Sequence, residues 1–334
     1  MACTATQSRL FWSSHYGDPL RRRWQWQRRR SDSFHVAWAL RSERAEVTSS
    51  RIGHTMDVPQ FPGYDGVQLA YRETGSGRPL ILLHGFMGMG SDWLDHGPGD
   101  TLAETGFRLV LPDFRGHGQS PRPHDLPAYP PDVLADDALA LIRHLGLGAG
   151  EYDLGGYSLG GRIVVRLLAR GAEPGRAVVA GQGLAKIAGP QGGGANRRAL
   201  TALADGIALP PGSADAQIAH WAAKLGAEPR ALLCVLGSLV PTPEDDLRRI
   251  TTPTLVVIGD RDERSDAGEL AALLPAGRFA RVPGGHGGAF AAPELAAVIK
   301  TFLADPADQR SRDLPSPGSG SALPEACPVQ VAGT

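Results

Sequence analysis

Between about residues 60 and 304, apolar positions form two kinds of pattern, short continuous runs and helical stripes, which alternate along the chain. Short apolar runs predict β-strands, and the clearest of them is Pro79 to His84, a continuous run suited to a strand covered on both faces. Runs of the same style predict further strands at 67–72, 108–112, 152–157, 177–180, 254–258 and 279–282.

Helical patterns separate these runs. In the segment 131–145, Leu134, Ala138 and Leu141 fall on one stripe, as expected for a helix with a single buried face, and 159–169 behaves similarly. The alternation of strands and helices predicts the α/β class, with a mostly parallel central sheet and helices on both of its faces.

One long stretch contains helical patterns only. Between residues 183 and 250 they centre on 197–208, 214–225 and 229–239, and the strand pattern resumes at Pro253. We expect a helical cap at 183–250, inserted into a core formed by 56–182 and 251–304.

The two ends of the chain differ in composition from this core. Residues 1–55 lack periodicity and hold ten Arg against four acidic residues, while 305–334 is rich in Pro, Ser, Gly and Ala. We expect a flexible tail at 305–334. For 1–55 we expect a disordered extension, or one assigned upstream of a true start at Met56, with a targeting signal or basic arm as the alternative.

The overall composition narrows the class of partner. The formal net charge is -1, so the chain outside the basic segment 1–55 is acidic, which argues against nucleic acid. No run approaches the roughly 20 apolar residues of a membrane span. The three cysteines lie far apart, which excludes a disulfide framework and favours a reducing, cytoplasmic compartment. We expect a small-molecule substrate and no metal or cofactor; the oligomeric state stays open.

The strongest local motif is Gly156-Tyr-Ser158-Leu-Gly160, placed where a predicted strand ends and a predicted helix begins. A serine on such a sharp turn projects its hydroxyl, and glycines are needed beside it because a Cβ would collide with the neighbouring backbone. The motif makes Ser158 a candidate nucleophile. Taken alone, it is also compatible with an inert turn in a chain that has 43 glycines.

A serine nucleophile needs a base and a carboxylate that orients the base. Asp262 follows the strand run at 254–258, and His286 follows the next run, so both fall at carboxyl ends of strands, where sites of α/β sheets assemble. We expect His286 to be the base and Asp262 the orienting acid. Asp260 remains a competitor for the acid if the turn is short.

The reaction would also require two donors for an oxyanion. The backbone amide of Leu159 begins a helix, and the loop after the strand at 79–84 supplies the second candidate, the amide of Phe86. We interpret His84 in that loop as a bracing residue and Ser91 as the N-cap of the next helix.

Five ordered motifs over residues 60–304 resemble the α/β-hydrolase superfamily, in its lipase-like branch with a helical cap. They are HGFMG from His84, DFRGHGQS from Asp113, GYSLGGR from Gly156, PTLVVIGDRD from Pro253 and GGHGG from Gly284. The resemblance implies Ser158 as nucleophile, Asp262 as acid, His286 as base and a cap over the pocket. Relatives that open epoxides or displace halide carry Asp at the elbow, so the serine here disfavours both reactions.

The leading interpretation is a serine hydrolase acting on a small carboxylic ester through an acyl-enzyme. The alternatives are carbon–carbon bond cleavage or lyase chemistry on the same triad, and a non-catalytic protein that binds a ligand. Charged groups such as Arg162, Arg197 or Arg198 would hold a carboxylated substrate in the second case. The candidates for substrate contact are His117, Arg162 and Trp221.

Overall fold

The computed structural model describes residues 58–189 and 194–305. The predictions for 1–55 and for the tail beyond residue 305 lie outside these residues. The strands are β1 (Gln60–Pro62), β2 (Gln68–Gly75), β3 (Arg78–Leu83), β4 (Phe107–Pro112), β5 (Asp153–Tyr157), β6 (Ala177–Ala180), β7 (Thr254–Gly259) and β8 (Gly277–Val282).

The helices of the same residues are α1 (Asp92–Asp95), α2 (Gly99–Ala103), α3 (Val133–His144), α4 (Leu159–Ala169), α5 (Leu184–Ala188), α6 (Gly194–Ala204), α7 (Ala214–Lys224), α8 (Pro229–Ser238), α9 (Glu244–Leu247), α10 (Ala267–Leu273), α11 (His286–Phe290) and α12 (Pro293–Ala304). A short 3-10 turn covers Leu126–Ala128. None of the described helices has both the length and the hydropathy needed to cross a bilayer.

The eight strands form one sheet in the order β1-β2-β4-β3-β5-β6-β7-β8. All neighbours from β4 to β8 are parallel, and β2 is antiparallel to both β1 and β4. The chain leaves β3 towards β4 on one side and returns to β5 on the other. The carboxyl ends of β3 and β5 therefore flank a crevice where a ligand can bind.

Side chains of the central strands point alternately to two apolar layers, as strand geometry requires. In β3, Ile81 and Leu83 face the layer of α3, α4 and α10, whereas Leu80 and Leu82 face the layer of α1, α2 and α12. Both layers are buried. The predicted α/β class, with a mostly parallel sheet covered on both faces, is confirmed.

Five helices, α5 to α9, lie between β6 and β7 in the chain, in the stretch where the sequence predicted helices only. Leu200 of α6, Ala222 of α7 and Leu232 of α8 form a buried cluster, and Phe86 and Met87 from the loop after β3 pack against it. This helical segment therefore rests on the loop that ends β3.

Candidate active site

The three predicted triad residues follow three strands of the parallel part of the sheet. Ser158 comes directly after β5, Asp262 lies in the loop after β7, and His286 begins α11 just after β8. Only β6 separates β5 from β7 in the sheet, and β8 is next to β7. Because parallel strands end at one edge, residues up to 128 positions apart meet there.

Ser158 occupies a sharp turn between β5 and α4. Its backbone has φ 54° and ψ -110°, a conformation that costs a non-glycine residue about 1–3 kcal/mol. The turn is held by the Ser158 amide, which donates to Ala180 O at 2.8 Å, and by Gln182 Nε2, which donates to Ser158 O at 2.5 Å. The serine side chain makes no capping bond to α4, so its hydroxyl remains directed to the edge of the sheet.

Gly160 lets the elbow approach β3 closely. A Cβ at this position would lie 2.0 Å from the backbone oxygen of Leu83, a distance that no rotamer change can relieve. We expect Gly160→Ala to lower the free energy of unfolding by about 2–4 kcal/mol or to prevent folding. Urea denaturation measures this. The control is Gly237→Ala, an exposed position in α8 with no atom within 4 Å of the added methyl, which we expect to stabilise the protein slightly.

His286 lies between the serine and the acid. Its Nε2 is 2.9 Å from Ser158 Oγ, and its Nδ1 is 2.7 Å from Asp262 Oδ2. A carboxylate only accepts hydrogen bonds, so Nδ1 carries the proton and Nε2 is left to accept the one from the serine hydroxyl. This is the tautomer that a general base requires.

The Asp262 side chain is 0% exposed and its charge is well compensated. Burial raises its pKa, but the hydrogen bond and charge of His286, together with the Arg264 amide and guanidinium, outweigh burial and bring the pKa to about 2. The carboxylate therefore stays ionised at neutral pH. Asp260, the competitor, is 53% exposed and accepts from the Gly284 amide at 2.8 Å, so it braces the histidine loop instead.

The two predicted oxyanion donors belong to segments that adjoin the serine. Leu159 is the first residue of α4, so its amide has no acceptor within the helix. The loop with Phe86 also reaches the serine, since a Cβ placed on Gly85 would lie 3.7 Å from Ser158 Cβ. Ser91 precedes α1, as predicted, but it makes no capping bond; Asp92 Oδ2 accepts from the Met89 amide at that turn.

His84 and His117 form a buried pair beneath this loop, with ring centroids 5.1 Å apart. The Phe114 amide donates to His84 Nε2 at 3.0 Å, and His84 Nδ1 donates to Gly85 O at 2.8 Å. Burial lowers the pKa of His84 to about 4 and that of His117 to about 3, so both rings are neutral at pH 7. His117, a predicted candidate for substrate contact, is instead packed behind Phe86.

Arg162, the second such candidate, is also buried. Its guanidinium donates to the carbonyls of Lys186 and Val240, which lie near the beginning and the end of the helical segment between β6 and β7. Arg162 thus fastens that segment to α4, and the expectation that it faces a ligand has no support. Trp221, the third candidate, is half-buried in α7. Arg198 is bound by Asp215 through two hydrogen bonds of 2.7 and 2.9 Å.

Three residues that the sequence reasoning missed support the site. Arg264 Nη1 is 3.0 Å from Asp262 Oδ1, the Tyr157 hydroxyl donates to the backbone oxygen of His286, and Gln182 holds the serine turn. In the sequence, the only indication for Arg264 and Tyr157 was that each lies within two residues of a predicted triad residue. Nothing in the sequence pattern marked Gln182.

A family model described as the alpha/beta hydrolase fold matches residues 78–183, which contain β3 to β6 and the serine turn. A crystal structure of the esterase RhEst1 from Rhodococcus sp. ECU1013 superposes with a TM-score of 0.58 at 27% identity, covering 75% of this chain and 99% of that one. The chain has the α/β-hydrolase fold.

Curated relatives match over shorter segments. A non-heme haloperoxidase of Rhodococcus erythropolis is 35% identical over 120 residues, 34% of this chain and 39% of that protein. A bifunctional epoxide hydrolase 2 of Sus scrofa is 34% identical over 99 residues, 30% of this chain and 17% of that protein. The chain thus spans less than two fifths of each relative, and the differing names leave the reaction of this member open.

Proposed function

We propose that this protein hydrolyses small carboxylic esters through an acyl-enzyme formed on Ser158. The observation that carries the proposal is the continuous chain of hydrogen bonds from Ser158 Oγ through the His286 ring to Asp262, with distances of 2.9 and 2.7 Å. Both distances lie within the range required for proton transfer between a nucleophile and its base.

In the first half of the reaction, His286 Nε2 takes the proton of Ser158 Oγ as the oxygen attacks the ester carbonyl. The imidazolium that forms is stabilised by the ionised Asp262 on its other side. The proton then moves from Nε2 to the alcohol oxygen as the ester bond breaks, which leaves the acyl group on the serine.

In the second half, water replaces the alcohol and the same transfers run again. His286 removes a proton from the water, the hydroxide attacks the acyl carbon, and the serine leaves with the proton. In both halves the carbonyl oxygen becomes negative, and the amides of Leu159 and Phe86 are the donors that we assign to it.

The contacts of two arginines favour an uncharged substrate over a carboxylated one. Two arginines that could have held a carboxylate are engaged elsewhere, because Arg162 donates to backbone carbonyls and Arg198 pairs with Asp215. These contacts favour ester hydrolysis over chemistry on a carboxylated diketone.

A fluorophosphonate probe tests the proposal directly, because it reacts only with an activated serine. We expect one phosphonyl group on the wild-type protein, located by peptide mass spectrometry at Ser158. We also expect turnover of p-nitrophenyl esters, with a preference along a chain-length panel that reports the size of the acyl site.

Ser213→Ala is a matched control for that experiment. Ser213 caps α7 by accepting from the Ala216 amide at 3.1 Å, and its loss should leave labelling unchanged. A folded wild-type protein that takes up no probe and turns over no ester would overturn the proposal and would favour a ligand-binding role.

A further inference from the structure

We infer that Arg264 is a positioning residue that opposes protonation of the His286 imidazole, so that the base remains available at more acidic pH. This inference rests on the proposed function, because it assigns a role to a residue that touches the triad and not the substrate. Neither the predicted motif nor the elbow geometry requires an arginine at this position.

Arg264 and His286 share one carboxylate. Asp262 Oδ2 accepts from His286 Nδ1 at 2.7 Å, and Asp262 Oδ1 accepts from Arg264 Nη1 at 3.0 Å and from the Arg264 amide at 3.1 Å. The guanidinium is only 16% exposed, so solvent screens its charge weakly. Both oxygens of the acid are therefore occupied, and its plane is fixed relative to the imidazole ring.

The shared carboxylate brings the two donors face to face. Arg264 Nη1 lies 2.8 Å from His286 Nδ1. If that nitrogen accepted a bond from the guanidinium, its lone pair would also face the carboxylate oxygen at 2.7 Å, which is repulsive. Nδ1 therefore carries the proton, and the guanidinium is a neighbouring positive charge instead of a donor to the ring.

A second proton on the ring would place a full positive charge beside this guanidinium. Like charges at such a distance disfavour the charged form of a titrating group. Arg264 also withdraws part of the carboxylate charge that would otherwise attract that proton. The two effects have the same sign, since each disfavours a second proton on the ring.

Within the part of the chain that the structure describes, the other groups around the ring do not counter this effect. Ser158 and Tyr157 approach from the end of β5, and the tyrosine stays neutral because burial raises its pKa. Glu263 Oε1 is 3.9 Å from Arg264 Nη1, but the glutamate is 82% exposed. Asp260 and Arg261 lie in the same loop and pair with each other at 3.6 Å.

The test is the pH dependence of kcat/KM for a p-nitrophenyl ester, measured on the full chain as wild type and as Arg264→Gln, Arg264→Met and Arg264→Lys. We expect the acid limb of the two neutral variants to move to higher pH by about one unit. Arg264→Lys keeps a charge at the site and should stay within a few tenths of a unit of wild type.

Arg261→Gln is the matched control. It removes the same charge from the same loop, but from a side chain that is 67% exposed and paired with Asp260 at 3.6 Å, so its acid limb should coincide with that of the wild type.

An unmoved acid limb in either folded neutral variant would overturn the inference and leave the proposed function intact. An equal movement in Arg261→Gln would also overturn it, because the effect would then be one of general charge. Absence of Ser158-dependent turnover in the wild type would overturn the proposed function and this inference with it.

Discussion

Replacing Ser158 by alanine is expected to reduce kcat/KM for a p-nitrophenyl ester by roughly 10⁴-fold or more, without loss of the fold. The substitution removes the attacking oxygen, and among the described residues the adjacent Tyr157 hydroxyl cannot replace it, because it donates to the backbone oxygen of His286. Stopped assays over hours are needed to measure the residual rate, and circular dichroism with a melting curve verifies the fold.

The double variant Ser158→Ala/His286→Ala sharpens this prediction. Because nucleophile and base act as one unit, the second change should cost almost nothing once the first has been made. Additive losses would mean that His286 serves a reaction in which Ser158 has no part. A single variant that retains wild-type turnover would refute the assignment of the nucleophile.

Much of the fold could be predicted because the hydrophobicity of each strand's own residues indicates that the strand is buried. The run 177–180 has the bounds of β6, and the helix at 159–169 has those of α4. Strand β1 was missed because three residues, one of them Pro62, are too few for a period of two to be recognised. The short helices α2 and α5 were missed for a similar reason, since five residues cannot display a helical stripe.

The candidate site could be predicted at positions where the backbone conformation restricts which residue types can occur. The elbow needs small residues, as the 2.0 Å approach at Gly160 illustrates, and so it marked Ser158. Arg162 was proposed as a substrate contact because a sequence shows charge but not burial, and in the structure its side chain is buried. Its guanidinium donates hydrogen bonds to backbone carbonyls of the helical segment. These bonds exist only when α4 and that segment are packed together, so the sequence pattern does not show them.

The sequence favoured Asp262 over Asp260 as the acid but left Asp260 as a competitor, because both follow β7 within one turn. The conformation of the turn determines which of the two carboxylates faces the imidazole. The Asp262 amide donates to Gly259 O at 3.1 Å, which folds the chain back and directs the second carboxylate, not the first, at the imidazole. Asp260 is left at the rim with the Gly284 amide.

Asp262→Asn should therefore lower kcat by roughly 10³ to 10⁴-fold, while Asp260→Asn should lower it less than about tenfold. An amide at 262 has no negative charge to stabilise the imidazolium. Its NH₂ group would also donate to Nδ1 and move the ring proton to Nε2, where the base cannot accept from the serine. Asn at 260 keeps an oxygen for the Gly284 amide and leaves the ring untouched.

Comparison of kcat in the two variants separates electrostatic and structural contributions of the loop. Both changes remove one negative charge within three residues of each other, so a general effect of net charge would appear equally in both. We expect KM to change little in either variant, since neither carboxylate reaches the substrate. A larger loss of kcat in Asp260→Asn than in Asp262→Asn would show that the turn after β7 presents the other acid during catalysis.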